Sequence, residues 1–528
     1  MEPLTLINAR IFTMDEGSAE VSGLVIQDGR ISHTLSGTEA KESPTRGSCL
    51  DLGGRIVLPG LIDSHLHLRK YAEILDKIIC ETETKADCLA EVRVKALSLN
   101  PGEWILGHGW NHNNWQEGYG TAAELDQAAP DHPVYLTGKS LHVSWANSRA
   151  LSLAGINENT QDPPGGVLQR DSDGNPTGIF FENAVKLVES VIPIPSAEMT
   201  ASSILKAQES LWKMGLTGVH DFDRELCIQA LHLLTQDGLL HLRVQKSIPS
   251  EYLNQAIQLG YKTGKGNDWL WFGGVKEFMD GALGPQTAAM LAPYQGSGET
   301  GMLLKTEDEI IQLGRKAADH GISLSIHAIG DLANRTLLNA LEDIRSYEKE
   351  IGLDPLPHRI EHVQLIDPAD LPRLAELDIV ASMQPTHATS DMEMAAAYWG
   401  ERTSCAYAPK AQFDQGAQVI FGSDAPVESP NPWLGIHAAV TRRRVDGAPG
   451  PDGWHPEERV SVDQALAAYT KNPARAAGKN KSQGKLSSGY WADLIVLDTN
   501  PYSCPAAELP GIQPLGTMAA GKWVYRNF

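Results

Sequence analysis

The chain lacks the features that would place it in several large classes of protein. Its six cysteines, Cys49, Cys80, Cys88, Cys227, Cys405 and Cys504, form no CxxC pair, so neither a disulfide framework nor a thiolate zinc site is signalled. No apolar run approaches the ~18 residues of a membrane-spanning helix. The opening "MEPLTLINARIFTMDEG" has no basic leader followed by an apolar stretch, and a cytoplasmic protein is expected. Basic runs are absent too. With a formal net charge of -22, the chain has no cationic face for nucleic acid or an anionic membrane, and a small-molecule substrate is the expected partner. What remains is 528 residues with 42% hydrophobic and 21% charged content. That is enough for a large globular barrel with accessory parts.

The pattern of the chain changes twice. Residues 4–58 hold short β-branched runs ("LTLINARIFTM", "GLVIQDGRI", "GGRIVLPG"), which suggest a small antiparallel sheet. Similar runs return after residue 483 in "GKLSSGYWADLIVLD" and "GTMAAGKWVYRN", which suggests one sheet module assembled from both ends. Between them, helical stretches alternate with short apolar strands, as in "EIIQLGRKAADHGISLSIHA" and "AQFDQGAQVIFGSD". The expected fold is therefore α/β: a (β/α)8 TIM barrel over residues 59–475, with a composite β-sandwich from 1–58 plus 476–528. A large insertion near the first strand, about residues 70–205, is rich in Trp, Asn, Gly and Pro ("GHGWNHNNWQEGYG"). It reads as a loop-and-strand excursion from the barrel.

In such a barrel, functional groups end the strands. "GLIDSHLHL" places His65 and His67 two apart, on one side of an extended strand, which is a metal-ligand spacing. Further apolar runs end in His327 ("GISLSIHAIGD"), His362 ("HRIEHVQ") and Asp424 ("AQVIFGSDAP"), and "WLWFGGVKEFMDG" carries Lys276 followed by Asp280. Taken singly, each has an ordinary explanation: a hydrogen-bonded core histidine, a helix N-cap, a lysine reaching solvent. Their joint occurrence at successive strand ends points instead to a metal centre.

These residues carry a resemblance to the amidohydrolase superfamily, in its YtcJ-like branch, amidohydrolase family 3. It runs nearly end to end through "LPGLIDSHLHL", "GWNHNNW", "PTGIFFENA", "GLTGVHDFD", "VKEFMDGALGPQTA", "IHAIGDLANRTLLNAL", "RIEHVQL", "GSDAPV" and "TKNPARAAG". The pattern departs at Ser140-Leu141 and Ala282. The resemblance implies that His65 and His67 bind the more buried of two metals and His327 and His362 the more exposed one. It also implies that Asp424 binds metal and handles the proton, and that Lys276 is carbamylated and bridges both ions. An ammonium has no lone pair, so Lys276 joins only after CO2 makes it a carbamate. The cofactor expected is a divalent cation, zinc first, one or two per chain. The reaction expected is hydrolysis of an amide, N-formyl, N-acyl or cyclic amide C–N bond. Trp110, His112, Trp115 and His142 are the candidates for the pocket lining. Glu182 could be a pocket residue, a helix-capping carboxylate or a metal bridge in place of Lys276, and the first is adopted. A mononuclear deaminase and a non-catalytic metal-binding regulatory protein stand as alternatives, and association as a homodimer is compatible with the sequence.

Overall fold

The computed structural model describes residues 2–17, 19–37, 47–112, 115–138 and 143–528. It divides into two compact units, Met1–Tyr71 with Ile204–Phe528, and Ala72–Ser203.

The first unit contains the barrel. Its eight strands are parallel and ordered as in the chain: β1 (Leu61–Leu66), β2 (Leu216–Asp221), β3 (Arg243–Pro249), β4 (Leu270–Phe278), β5 (Leu324–Ala328), β6 (Arg359–His362), β7 (Val380–Met383) and β8 (Val419–Phe421). Every residue of β1, β2, β3, β5, β6, β7 and β8 is buried, as expected where helices cover one face of a parallel sheet and packed side chains fill the other. The seam between β1 and β8 closes just past the end of β8. Leu66 bridges to Ala425, with His67 N donating to Ala425 O at 2.8 Å and Asp424 N to His65 O at 2.6 Å.

Both ends of the chain build the sandwich. One sheet runs Lys522–Arg526, Gly516–Ala519, Leu494–Leu497, Ile56–Pro59, Arg10–Phe12 and Glu20–Val21; the other runs Arg30–Leu35, Gly23–Gln27, Leu4–Ile7 and Ser48–Asp51. Leu494–Leu497 lies antiparallel to Ile56–Pro59. Leu6, Ile11, Leu24, Val57, Leu494, Val496 and Met518 fill the core between the sheets. The pairing is mixed, not purely antiparallel as the hairpin-like runs suggest. Leu4–Ile7 pairs parallel with Ser48–Asp51, and Arg10–Phe12 parallel with Ile56–Pro59, through crossovers that turn signals alone do not reveal.

The second unit, read from the sequence as a loop-and-strand excursion, carries its own sheet and helices. Six strands, in the order Gly166–Arg170, Pro176–Glu182, Val143–Ala146, Val134–Gly138, Ile105–Trp110 and Ile78–Ile79, form one sheet. Helices Lys85–Ala96 and Ala122–Ala128 accompany it. Trp110, Trp115, Trp145, Leu125, Leu136 and Val92 make a core of its own. No helix among the described residues is long and apolar enough to cross a membrane.

Candidate metal centre

The β1 strand delivers His65 directly, and His67 follows one residue past its end, ahead of helix Leu68–Asp76. That helix starts on carboxylates from the end of β2: Leu68 N donates to Asp221 Oδ1 at 2.8 Å and Arg69 N to Asp223 Oδ2 at 2.6 Å. Carboxylates at a helix N-terminus are favourable. Here they also fix where the chain turns after His67. The β6 strand ends on His362 and the turn after β8 carries Asp424, both with positive φ, 80° and 58°. Left-handed backbone at a non-glycine residue costs ~1–3 kcal/mol, and at both positions it re-aims a side chain as the strand ends. Gly422 allows the close approach of β8 to β1, because a Cβ there would lie 2.4 Å from His65 N.

The imidazoles are oriented by their far nitrogens. His65 Nδ1 donates to Glu361 Oε2 at 2.6 Å, both side chains being buried. Glu361 is held in turn by Arg359, which donates to its Oε2 at 3.0 Å, to Ser64 O at 2.6 Å and to Ser382 Oγ at 2.8 Å. Burial opposes the charge on Glu361, but Arg359 and His65 bring its pKa below the ordinary carboxylate value. His362 Nδ1 donates to Gln384 Oε1 at 2.8 Å, and His67 Nδ1 lies 3.4 Å from Asp223 Oδ1. The Nε2 atoms of His65 and His67 then both face Asp424 Oδ1, at 3.4 and 3.5 Å. Burial pushes the Asp424 carboxyl up, yet His387, His65 and His362 together hold it well below the usual range.

That geometry is itself a test for a cation. Burial lowers the pKa of His65, so the ring is neutral; with its proton on Nδ1, its Nε2 lone pair points at a carboxylate oxygen. Two opposed lone pairs repel, and a dication between them makes both attractive. His65, His67 and Asp424 form one set whose ligand atoms lie within 4.8 Å of one another, and His362, His387 and Asp424 form another. A third set, Asp221, Asp223 and Cys227, already holds a cation of the chain, with Lys246 Nζ 2.9 Å from Asp221 Oδ2.

The remaining sequence candidates are placed differently. His327 Nε2 donates to Gly281 O at 2.9 Å. Burial and the nearby Lys276 take its pKa down to about 3, leaving a neutral ring with its lone pair on Nδ1. Lys276 Nζ lies 4.9 and 4.7 Å from the ring centres of Phe222 and Phe278. Burial lowers its pKa to about 8 against the pull of Glu361 and Asp424. Asp280 does not face the cavity; its Oδ2 accepts from Ala289 N and Gly330 N at 2.9 and 2.8 Å, and its Oδ1 from Ile329 N at 3.0 Å, shaping loops beside His327.

A cavity of about 330 Å³ opens over these groups. His65, His67, Lys276, His327, His362 and Asp424 form its floor, Phe278, Leu283, Met394 and Val427 supply apolar wall, and His387, Asp391 and Glu428 supply polar wall. An apolar surface with a few convergent polar groups suits a small molecule. Trp110 and Trp115 are instead packed in the second unit's core, with their rings stacked at 5.8 Å. Their indole N–H groups donate to Leu136 O at 2.9 Å and Thr82 O at 3.3 Å. His112 is half-buried and stacks on Tyr119 at 4.0 Å. Glu182 is exposed at the end of Pro176–Glu182. The next helix, Val185–Glu189, is capped at Ala184 and has no side-chain cap, so Glu182 is not its capping carboxylate. His142 lies outside the described residues.

His387, Glu428, Asp391, Glu361, Gln384 and Asp223 were not singled out by strand-end reasoning. Glu361 adjoins His362 in "RIEHVQ", and Asp221 and Asp223 repeat the two-apart spacing of the histidines in "GVHDFD". Both signals were legible.

Known proteins match nearly the whole chain. Residues 49–525 match the model of the amidohydrolase family. YtcJ of Bacillus subtilis is 33% identical over 98% of both chains. The N-substituted formamide deformylase of Arthrobacter pascens is 29% identical over 100% of this chain and 99% of its own. Among solved structures, a metal-dependent hydrolase from Pyrococcus furiosus superposes with a TM-score of 0.78 at 29% identity, covering 95% of this chain and 100% of that one.

Proposed function

The chain belongs to the amidohydrolase family and is a hydrolase of carbon–nitrogen bonds, and from that premise we propose that it cleaves a small amide, N-formyl, N-acyl or cyclic amide compound with Asp424 as general base and then general acid. The name of the Arthrobacter relative, an N-substituted formamide deformylase, puts N-formyl amines first among these. The observation that carries the reading is the convergence of His65 and His67 Nε2 on one oxygen of Asp424 beneath a cavity.

Zinc suits imidazole and carboxylate donors. When bound, it supplies a hydroxide nucleophile near neutral pH and polarises the substrate carbonyl. His65, His67 and Asp424 would hold one ion, and His362 with His327 a second. Lys276 would join both as a carbamate, formed when the neutral amine adds to CO2 and loses a proton. A pKa of about 8 keeps a usable fraction of that amine at neutral pH. Asp424 takes the proton of the attacking water and returns it to the leaving nitrogen as the C–N bond breaks. Glu361, Gln384 and Asp223 keep the imidazole protons on the far nitrogens throughout. His112 and Glu182, whose side chains keep exposed surface, stay candidates for substrate binding, as do Trp110 and Trp115.

We propose the domain boundaries 1–58 plus 476–528 for the sandwich and 59–475 for the barrel, with an insertion at about 70–205. The six unpaired cysteines fit the reducing cytoplasm as the working compartment. The decisive experiment is metal analysis joined to a screen of N-formyl, N-acyl and cyclic amide compounds. Release of an amine plus a carboxylic acid, dependent on bound cation, is the expected result. Release of ammonia alone would establish a deaminase instead.

A further inference from the structure

Helix Pro385–Trp399 starts two residues after β7 ends, and its first turn brings His387 into the cavity wall with only 6% of the residue exposed. The ring lies in a line of carboxylates. Its Nε2 is 3.4 Å from Asp424 Oδ2, and its Nδ1 is 3.9 Å from Glu428 Oε1. Asp391, also on this wall, is occupied by Tyr407, whose hydroxyl donates to its Oδ2 at 2.7 Å. Asp424 is thus shared by oxygen: Oδ1 faces His65 and His67, and Oδ2 faces His387.

By distance alone, His387 could be a metal ligand with His362 and Asp424. Its surroundings argue otherwise. Its Nδ1 is 3.9 Å from Glu428 Oε1, too far for a hydrogen bond, whereas Glu361 at 2.6 Å fixes the proton of His65 on Nδ1; the ring proton of His387 is therefore placed on Nε2, toward Asp424 Oδ2 at 3.4 Å. A protonated nitrogen donates and has no lone pair for a cation.

We propose that His387 is a positioning residue for Asp424: its Nε2–H holds Oδ2, so that Oδ1 alone faces the metal-binding histidines and receives the proton. The inference rests on the base and acid role proposed for Asp424. A carboxylate free to turn about its Cβ–Cγ bond presents either oxygen, whereas one charge-assisted hydrogen bond selects one of them. In the cycle the water proton moves to Oδ1, the Oδ1–H proton moves to the leaving nitrogen as the C–N bond breaks, and Asp424 ends as carboxylate. His387 keeps its own proton throughout.

The test uses the zinc-loaded full chain, His387→Leu to remove the donor at similar volume, and His387→Gln to restore an N–H near the Nε2 position. Loss of a positioning bond is expected to leave zinc content unchanged and KM within a few-fold, while kcat falls ~10²-fold, the scale of a small misplacement of a reacting group. His387→Gln is expected to recover most of that loss, which a purely structural role would not permit. Proton NMR of 15N-histidine-labelled, zinc-loaded protein supplies a readout without substrate: a downfield ring N–H resonance should vanish in His387→Leu and move in Asp424→Asn. Loss of zinc from a folded His387→Leu variant would make His387 a ligand and overturn the proposal, as would an unchanged kcat or the absence of the resonance. If the wild type cleaves no C–N bond, the catalytic reading of Asp424 fails by itself, and the resonance and zinc content still decide whether the bond exists. Should the leucine variant not fold, His387→Asn, too short to reach Oδ2, takes its place.

Discussion

The two sides of the candidate centre are built differently. On the seam side, where β1 meets the turn after β8, His65 has its far nitrogen on a buried carboxylate, His67 has its own turned toward Asp223, and both near nitrogens point at Asp424 Oδ1. On the β4–β5 side, Lys276 sits between two phenyl rings, and His327 has spent its Nε2 on a backbone carbonyl. On the reading proposed above, the seam side would take a dication as it stands, and the far side would become a ligand set only after Lys276 gains its carbamate. A chain with one preorganised and one conditional half should take up its ions in order, seam first.

The largest effect should come from the seam. Replacing His65 and His67 together with alanine is expected to abolish bound metal and activity; full metal content by elemental analysis in that variant would remove the distinction at its root. Lys276→Ala comes next. It should lose the second ion while keeping the first, with activity partly restored by short carboxylic acids that replace the carbamate oxygens. An alanine variant with both ions and full activity would show that the far side needs no bridge. Glu361→Gln keeps the shape but weakens the anchor of His65, and zinc affinity should fall about 10–100-fold, as for other outer partners of ligating histidines; competition with a chromogenic chelator measures it. The smallest effect is expected from Gly422→Ala, where the added methyl meets β1 backbone. It should destabilise the fold by about 1–3 kcal/mol, read as a lowered melting temperature that excess zinc partly restores.

Much of this was open to the sequence reader, unevenly. The two-apart histidines after an apolar run and the aspartate ending "AQVIFGSD" announce themselves, because strand ends are where a barrel puts chemistry. His387 does not. It follows the end of β7 by four residues, in the first turn of a helix, where "MQPTHATSD" reads as a helix start. Glu361 is legible beside His362, but its pairing with Arg359 two positions back is not: charged residues alternating along a strand usually face solvent, and here both are buried because a barrel strand has no solvated face. The second unit is legible as an insertion but its six-stranded sheet is not: Gly- and Pro-rich connections interrupt the periodicity of its strands, while Trp110, Trp115 and Trp145 provide in three side chains much of the core that longer apolar runs would otherwise announce.

The seam has a temporal meaning as well. His65 and Asp424 are separated by more than three hundred and fifty positions along the chain, yet they share a backbone hydrogen bond and face the same point. During synthesis His65 and His67 leave the ribosome long before their carboxylate partner exists. The proposed ion site is therefore complete only where the turn after the eighth strand meets the end of the first. A metal ion held there as proposed would tie the two ends of the barrel together, and a chain that stops before residue 424 would lack the carboxylate half of that tie.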